Sequence, residues 1–340
     1  MKKTKEPVDP IIRKIYSLFF DGVPVSCEII DTCRGDADFR MTVIAEDETG
    51  EKKVLKLACN DFTFPEKIRM WQRTVEEYRA LGYECPRILN DKNGGFPTVR
   101  YQESDCVVYA EEYAKYPSLE DRTSCMEKEL DDVYDRYLED IWSMSAKIAA
   151  KKLDYTDYPS AYCLFETFCP SDKTDEVLEN ALEWKKIADS LPERFSEQVQ
   201  RIWNLWYQNR ENLETIYHTL PTSVFQADLN ATNLLIDDEG VFRGVMDFNL
   251  SGKEVFLNYL MRENNIDTIP KALKISSAYY TFSEEEKEAA LPLYRCLKPL
   301  WWTAVRDLKK AGDDEEAVQK CLDRAESLLT KEIDFRSYME

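Results

Sequence analysis

Residues 223–249 read SVFQADLNATNLLIDDEGVFRGVMDFN. Helical periodicity precedes this stretch and resumes well after it, but within it the period changes. Leu234, Leu235 and Ile236 predict a short strand, Asp237 to Gly240 a turn, and Val241 to Met246 a returning strand. With the hairpin folded about Glu239, Asn233 is expected to face Val245. That register brings Asn233 and Asp247 together at the open end. Asp228 sits five residues before Asn233, in the incoming loop. Three oxygen-bearing side chains thus converge from one small piece of chain.

The residue types fit one chemistry. Mg²⁺ is a hard cation that takes carboxylate, amide and phosphate oxygens. Asp247 and Asn233 can supply two of these and leave positions for nucleotide phosphates and water. Asp228 can orient a substrate hydroxyl and accept its proton as it attacks a γ-phosphate. Isolated Asp and Asn are ordinarily turn residues. Their joint order, D-x-x-x-x-N, hairpin, then D-F, sets this group apart.

Outward from the hairpin, the first third of the chain is strand-rich. Asp9-Pro10 predicts a helix start, and Ile11, Ile12, Ile15, Tyr16, Phe19 and Phe20 recur at helical spacing up to Asp21-Gly22. Residues 27–33 predict a strand, and 39–45 with 53–58 a hairpin about Glu48-Thr49-Gly50-Glu51. A helix is expected over 64–81, then strands over 97–101 and 106–112. In strand 53–58, alternation could place the Lys56 ammonium over nucleotide phosphates. Beyond residue 112 the pattern is mainly helical, over 134–149, 174–190, 199–217 and 283–327, with Pro292 and Pro299 expected to bend or break the last segment.

Gln226-Ala-Asp228-Leu-Asn-Ala-Thr-Asn233, then Asp247-Phe248, resembles the aminoglycoside phosphotransferase/choline kinase family of kinase-like proteins. That family usually reads H-x-D-x-x-x-x-N and then D-[FWLI]. The resemblance implies an α+β, two-lobe protein-kinase-like fold. Residues 1–112, including the helix at 9–21, would form a nucleotide-binding lobe with a small antiparallel sheet and one long helix. Residues 113–340 would form a helical lobe with the catalytic loop and acceptor site. Asp228 corresponds to the catalytic aspartate, Asn233 to the second metal ligand and Asp247 to the principal one. Lys56, in VLKLA, corresponds to the phosphate-binding lysine. Its carboxylate partner is expected from the following helix, Glu66 first, with Glu76 or Glu77 as alternatives. Thr32 to Asp38, with Arg34 and Gly35, takes the place of the phosphate-covering loop. Val107 to Ala114, with Glu111, Glu112 and Tyr113, takes that of the connector whose backbone pairs with adenine. The implied cofactors are Mg²⁺ and ATP or GTP.

Three departures stand out. Gln226 replaces the usual histidine, although an amide, with donor and acceptor, could hold the catalytic loop in its stead. The phosphate loop has a single glycine and two acids, Asp36 and Asp38. The family's G-D-P after the metal aspartate is absent from NLSGKEVFLNYLMRE. The leading reading is a phosphotransferase acting on a hydroxyl of a small molecule. A weak or inactive nucleotide-binding pseudokinase is the alternative, and a helical interaction protein the third.

Bulk properties narrow the partners. The formal net charge of −20 opposes nucleic acid and anionic membranes and favours a cationic substrate. No run of about 18 apolar residues is present, so no membrane span is expected. MKKTKEPVDP has no apolar run behind its lysines, and a cytoplasmic location is expected. Ten singly scattered cysteines lack the paired spacing of zinc sites. His218 is the sole histidine, which excludes multi-histidine metal sites. Its setting, NLETIYHTLP, predicts a helix end.

Overall fold

The computed structural model describes residues 3–6, 8–33, 38–124 and 129–340. The chain divides into two compact units. One comprises Met1–Tyr137, Cys169–Ser171 and Asp228–Gly252; the other comprises Leu138–Phe168, Asp172–Ala227 and Lys253–Glu340.

The first unit is built on a seven-stranded antiparallel sheet. Its strands are β1 (Lys3–Glu6), β2 (Pro24–Asp31), β3 (Phe39–Asp47), β4 (Lys52–Cys59), β5 (Ile88–Leu89), β6 (Thr98–Tyr101) and β7 (Ser104–Glu112). The order is β1-β2-β3-β4-β7-β5, with β6 also on β7. The β3–β4 turn forms as the sequence indicates: Asp47 Oδ1 accepts from the Thr49 and Glu51 amides at 2.8 and 3.0 Å, and Gly50 takes φ +83°. Strand alternation then sorts the two faces. Met41, Val43, Ala45, Leu55, Leu57, Cys106, Val108 and Ala110 form one core with Ile12, Ile15, Tyr16 and Phe19 of helix α1 (Pro10–Phe19). Asp9 caps α1 by accepting from the Ile11 amide at 2.6 Å. Thr42, Lys56 and Tyr109 are directly paired across β3, β4 and β7 and face the other way. Helix α2 (Pro65–Ala80) packs on that face, with Trp71 6.0 Å from the Tyr109 ring. Strands β1 and β5 were not foreseen: KTKE has no apolar alternation, and β5 is two residues long.

Short helices α3 (Leu119–Thr123) and α4 (Leu130–Tyr134) complete this unit, together with the hairpin of β9 (Leu234–Ile236) and β10 (Phe242–Val245). The second unit holds helices α5 (Leu138–Ala149), α6 (Glu176–Ala188), α7 (Ser196–Tyr217), α8 (Phe256–Glu263), α9 (Ile269–Ser276), α10 (Glu284–Leu297), α11 (Trp302–Ala311) and α12 (Glu315–Thr330). Strand β8 (Thr222–Phe225) pairs with β11 (Gly252–Val255). His218 caps the C-terminus of α7, as its setting indicates. Pro292 is accommodated inside α10, while Pro299 falls in the break before α11. Helix α8 escaped the periodicity reading for a physical reason. It is eight residues long, little more than two turns, so too few repeats are present to mark a period. Among the described residues no helix is long and apolar enough to cross a membrane.

A buried polar row runs along the start of α8. Glu254 is 3% exposed, and its Oε1 accepts from the Tyr217 hydroxyl and the Val255 amide, both at 2.6 Å. Its Oε2 and the Asn258 Oδ1 are buried without a hydrogen-bond partner among the described residues. Burial pushes the Glu254 carboxyl up from 4.5 to about 7. The folded chain therefore holds this proton more tightly than the unfolded chain. Unfolding free energy is expected to fall as pH rises from about 4.5 to about 7, by at most about 3 kcal/mol. Chemical denaturation of Glu254→Gln across that range should show the decline removed. An unchanged pH profile would exclude Glu254 as its source.

Candidate active site

The loop after β8 and the β9–β10 hairpin are locked together by short bonds. Asn230 Nδ2 donates to Asp228 Oδ1 at 2.6 Å, and Asn230 Oδ1 accepts from the Thr232 amide at 2.9 Å and from its hydroxyl. The Asn233 amide donates to Asn230 O at 2.9 Å, and Asn233 Nδ2 to the Asp228 carbonyl at 2.9 Å. Asn233 is thereby held with its Oδ1 beside the Thr232 hydroxyl, at 3.2 Å. The hairpin forms, one residue out of the expected register. Leu234, not Asn233, lies opposite Val245, and the Met246 amide donates to Asn233 O at 2.9 Å.

The shift comes from an irregularity between Phe242 and Gly244. There Glu84, in the segment after α2, joins β10: its amide donates to Arg243 O at 2.8 Å and its carbonyl accepts from Val245 N at 3.1 Å. The approach requires glycine, because a Cβ on Gly244 would stand 1.9 Å from Glu84 O.

Asp247 follows β10 in the left-handed region, φ 60° and ψ 70°, which Asp enters more readily than most residues. Phe248 anchors the turn, buried edge-on against Tyr78 of α2 with centroids 5.2 Å apart. The turn presents Asp247 to Lys56, whose Nζ lies 2.7 Å from Asp247 Oδ1 and 3.3 Å from Glu111 Oε1. Burial alone would favour the neutral amine, but Asp247 and Glu111 outweigh it and raise the Lys56 pKa well above the ordinary lysine range. Burial pushes Glu111 the other way, raising its carboxyl against the pull of Lys56.

These contacts correct one expectation. The partners of Lys56 come from β7 and from Asp247, not from α2. The buried stripe of α2 is Lys67, Ile68, Met70, Trp71, Thr74, Val75 and Tyr78. Glu66 is exposed in the first turn, Glu76 pairs with Arg87 at 2.9 Å, and Glu77 is half-buried off that stripe. Glu111, expected through its backbone, instead acts through its side chain. The ladder explains why: Lys56 pairs with Tyr109, and Glu111 is the next residue on that face.

The other expected residues fall as follows. The Glu112 amide donates to Arg87 O at 2.9 Å, and its carboxylate accepts from the Arg87 amide at 3.1 Å. Tyr113 lies just past β7, exposed, with Lys52 Nζ 5.2 Å from its ring centroid. Gln226 is fully buried beyond the end of β8. Arg34, Gly35 and Asp36 lie outside the described residues. Asp38 is ion-paired with Arg40 at 2.9 Å and accepts from Asn60 Nδ2 at 3.0 Å, so this loop acid is not left bare.

Lys56, Asp228, Asn233 and Asp247 line one cleft of about 340 Å³, with Thr42 and Tyr109. Arg40 lines it too and was missed. The signal was present, since Arg40 precedes Thr42 by one strand period. Among the described residues no group of three or more His, Cys, Asp and Glu could hold a metal alone. The Asp247–Asn233 pair is instead a hard-oxygen set of the kind Mg²⁺ completes with phosphates and water.

No protein-family model and no curated protein matches the chain. Solved structures do. A microcompartment-associated aminopropanol kinase is 13% identical, with a TM-score of 0.53 and 94% of each chain covered. An amicoumacin kinase in complex with AMP-PNP and Ca²⁺ is 12% identical, with a TM-score of 0.54 and 97% of each chain covered. The chain has the kinase-like fold. Within that α+β, two-lobe fold, the strand carrying Lys56 and the hairpin preceding Asp247 are the elements that build the cleft.

Proposed function

We propose that this chain is an Mg²⁺-dependent phosphotransferase that moves the γ-phosphate of ATP or GTP to a hydroxyl of a small molecule. The observation that carries the reading is the convergence of Lys56, Asp228, Asn233 and Asp247 on one cleft. The solved kinases of this fold, named for aminopropanol and amicoumacin, support it. The nucleotide phosphates face Lys56, and the base lies toward the connector, where Tyr113 extends past both ladders of β7. Asp247 and Asn233 hold the metal, which when bound screens the phosphate charge. Lys56 exchanges its bond to Asp247 for phosphate oxygens, while Glu111 keeps its ammonium oriented. Asp228 accepts the acceptor hydroxyl's proton as that oxygen bonds to the γ-phosphorus and the bond to the β–γ bridging oxygen breaks. The formal charge of −20 favours a cationic acceptor.

Thermal melting with Mg-ATP and Mg-GTP tests the nucleotide part, since a ligand of the folded state must raise its stability. A rise is expected with at least one of them at millimolar concentration. No rise with either would reject the reading. A screen of hydroxylated amines, sugars and nucleosides for nucleotide-dependent phosphorylation then tests transfer. Nucleotide binding without any turnover across the screen would favour the pseudokinase alternative.

A further inference from the structure

We propose that Arg40 is a second phosphate-binding cation, placed to hold the outermost phosphate of the nucleoside triphosphate. This rests on the phosphotransferase reading above. The argument begins with strand register. Lys53 and Val54 pair with Glu112 and Glu111 at the connector end of β7. Going the other way along β4, Lys56 lies opposite Thr42, and two residues further Ala58 lies opposite Arg40. Two residues of strand span about 6.6 Å. A nucleotide with its base at the connector and its phosphates along β4 therefore meets Lys56 first and Arg40 beyond it.

Alternation puts Arg40 on the same face as Thr42, and its side chain lines the same cleft as Lys56, Asp228 and Asp247. The guanidinium has donors to spare. It presents five N–H groups. Nη2 goes to Asp38 at 2.9 Å, and the buried Nε–H has no partner among the described residues. The Phe62 ring, its centroid 5.7 Å from the guanidinium carbon, backs the group. Arginine can hold a carboxylate on one edge and a phosphate oxygen on another.

The sequence supplies a reason for such a device. The segment 32–38 carries one glycine, where a glycine-rich loop would offer several backbone amides to the phosphates. A charged side chain from β3 adds donors next to a segment with only one glycine to ease a close approach of phosphate to backbone. The competing role for Arg40 is neutralisation of Asp38 alone, and the two roles separate by which nucleotide they affect.

The test is calorimetric titration of the full chain with Mg²⁺ and either a non-hydrolysable triphosphate analogue or the matching diphosphate. Arg40→Met is expected to weaken the triphosphate analogue on the order of tenfold or more, the loss of a charge-assisted bond, and to leave the diphosphate as in wild type. Arg40→Gln keeps a donor for Asp38 and carries the same test should Arg40→Met not fold. Equal weakening of both nucleotides marks a structural role and overturns the proposal, as does no weakening of either. If wild type binds neither nucleotide, the phosphotransferase reading falls and this one with it. Wild-type binding with an indifferent Arg40 removes only this one.

Discussion

Asp228→Asn is expected to lower kcat by about 10²–10⁴-fold while leaving Mg-nucleotide affinity close to wild type. The substitution is isosteric, so the cleft keeps its shape. The backbone carbonyl of Asp228, which accepts from Asn233 Nδ2, is untouched, and the metal-side geometry of Asn233 is preserved. What disappears is the negative charge and the capacity to take a proton from the acceptor hydroxyl. Single-turnover phosphorylation of an identified acceptor, alongside calorimetric nucleotide binding, separates these quantities. Wild-type turnover in the variant would remove Asp228 from the chemistry. Parallel loss of nucleotide affinity would show that its role lies in holding the loop.

The second large effect is expected at a residue with no chemistry of its own. Gly244→Ala should destabilise the first unit by about 3 kcal/mol or more. A Cβ there would stand 1.9 Å from Glu84 O and 2.7 Å from both its carbonyl carbon and its amide nitrogen. All three are backbone atoms, so no rotamer change relieves the clash. Relief requires moving β10 away from Glu84, which breaks the bonds from Glu84 N to Arg243 O and from Val245 N to Glu84 O. Asp247 stands two residues beyond Val245, so the displacement reaches the cleft. Urea unfolding and nucleotide binding should decline together. Wild-type stability in this variant would mean that the close approach at Glu84 is not needed.

The sequence carried the local architecture wherever one residue type meets one requirement. The Asp9-Pro10 helix start, the turn at residues 48–51 and the hairpin before Asp247 each follow from short-range chemistry. Hydrophobic alternation was sufficient for β3, β4 and β7. Relations set by distant chain were not legible. The hairpin register shifts by one where Glu84 joins β10, and the only trace of that visit between residues 233 and 247 is Gly244, which marks a close approach without saying which segment makes it. The family resemblance points to α2 for the partner of Lys56, yet the buried stripe of α2 contains no glutamate. Ladder pairing of Lys56 with Tyr109 places Glu111 nearby, but that pairing is visible only once the strand order is known. Helix α8 is illegible for a different reason, since its eight residues are fewer than the window over which a helical period can be read.

The pairing of Lys56 with Glu111 has a consequence for control. In protein kinases the acid that orients the strand lysine rides on a helix, and moving that helix switches the enzyme. Here the lysine and its acid sit on adjacent strands joined by an unbroken ladder from Lys53↔Glu112 to Ala58↔Val107. No rotation of α2 can withdraw a carboxylate it does not carry. The Lys56–Glu111 contact is therefore set by strand pairing, and it holds or fails with the sheet rather than with the position of α2.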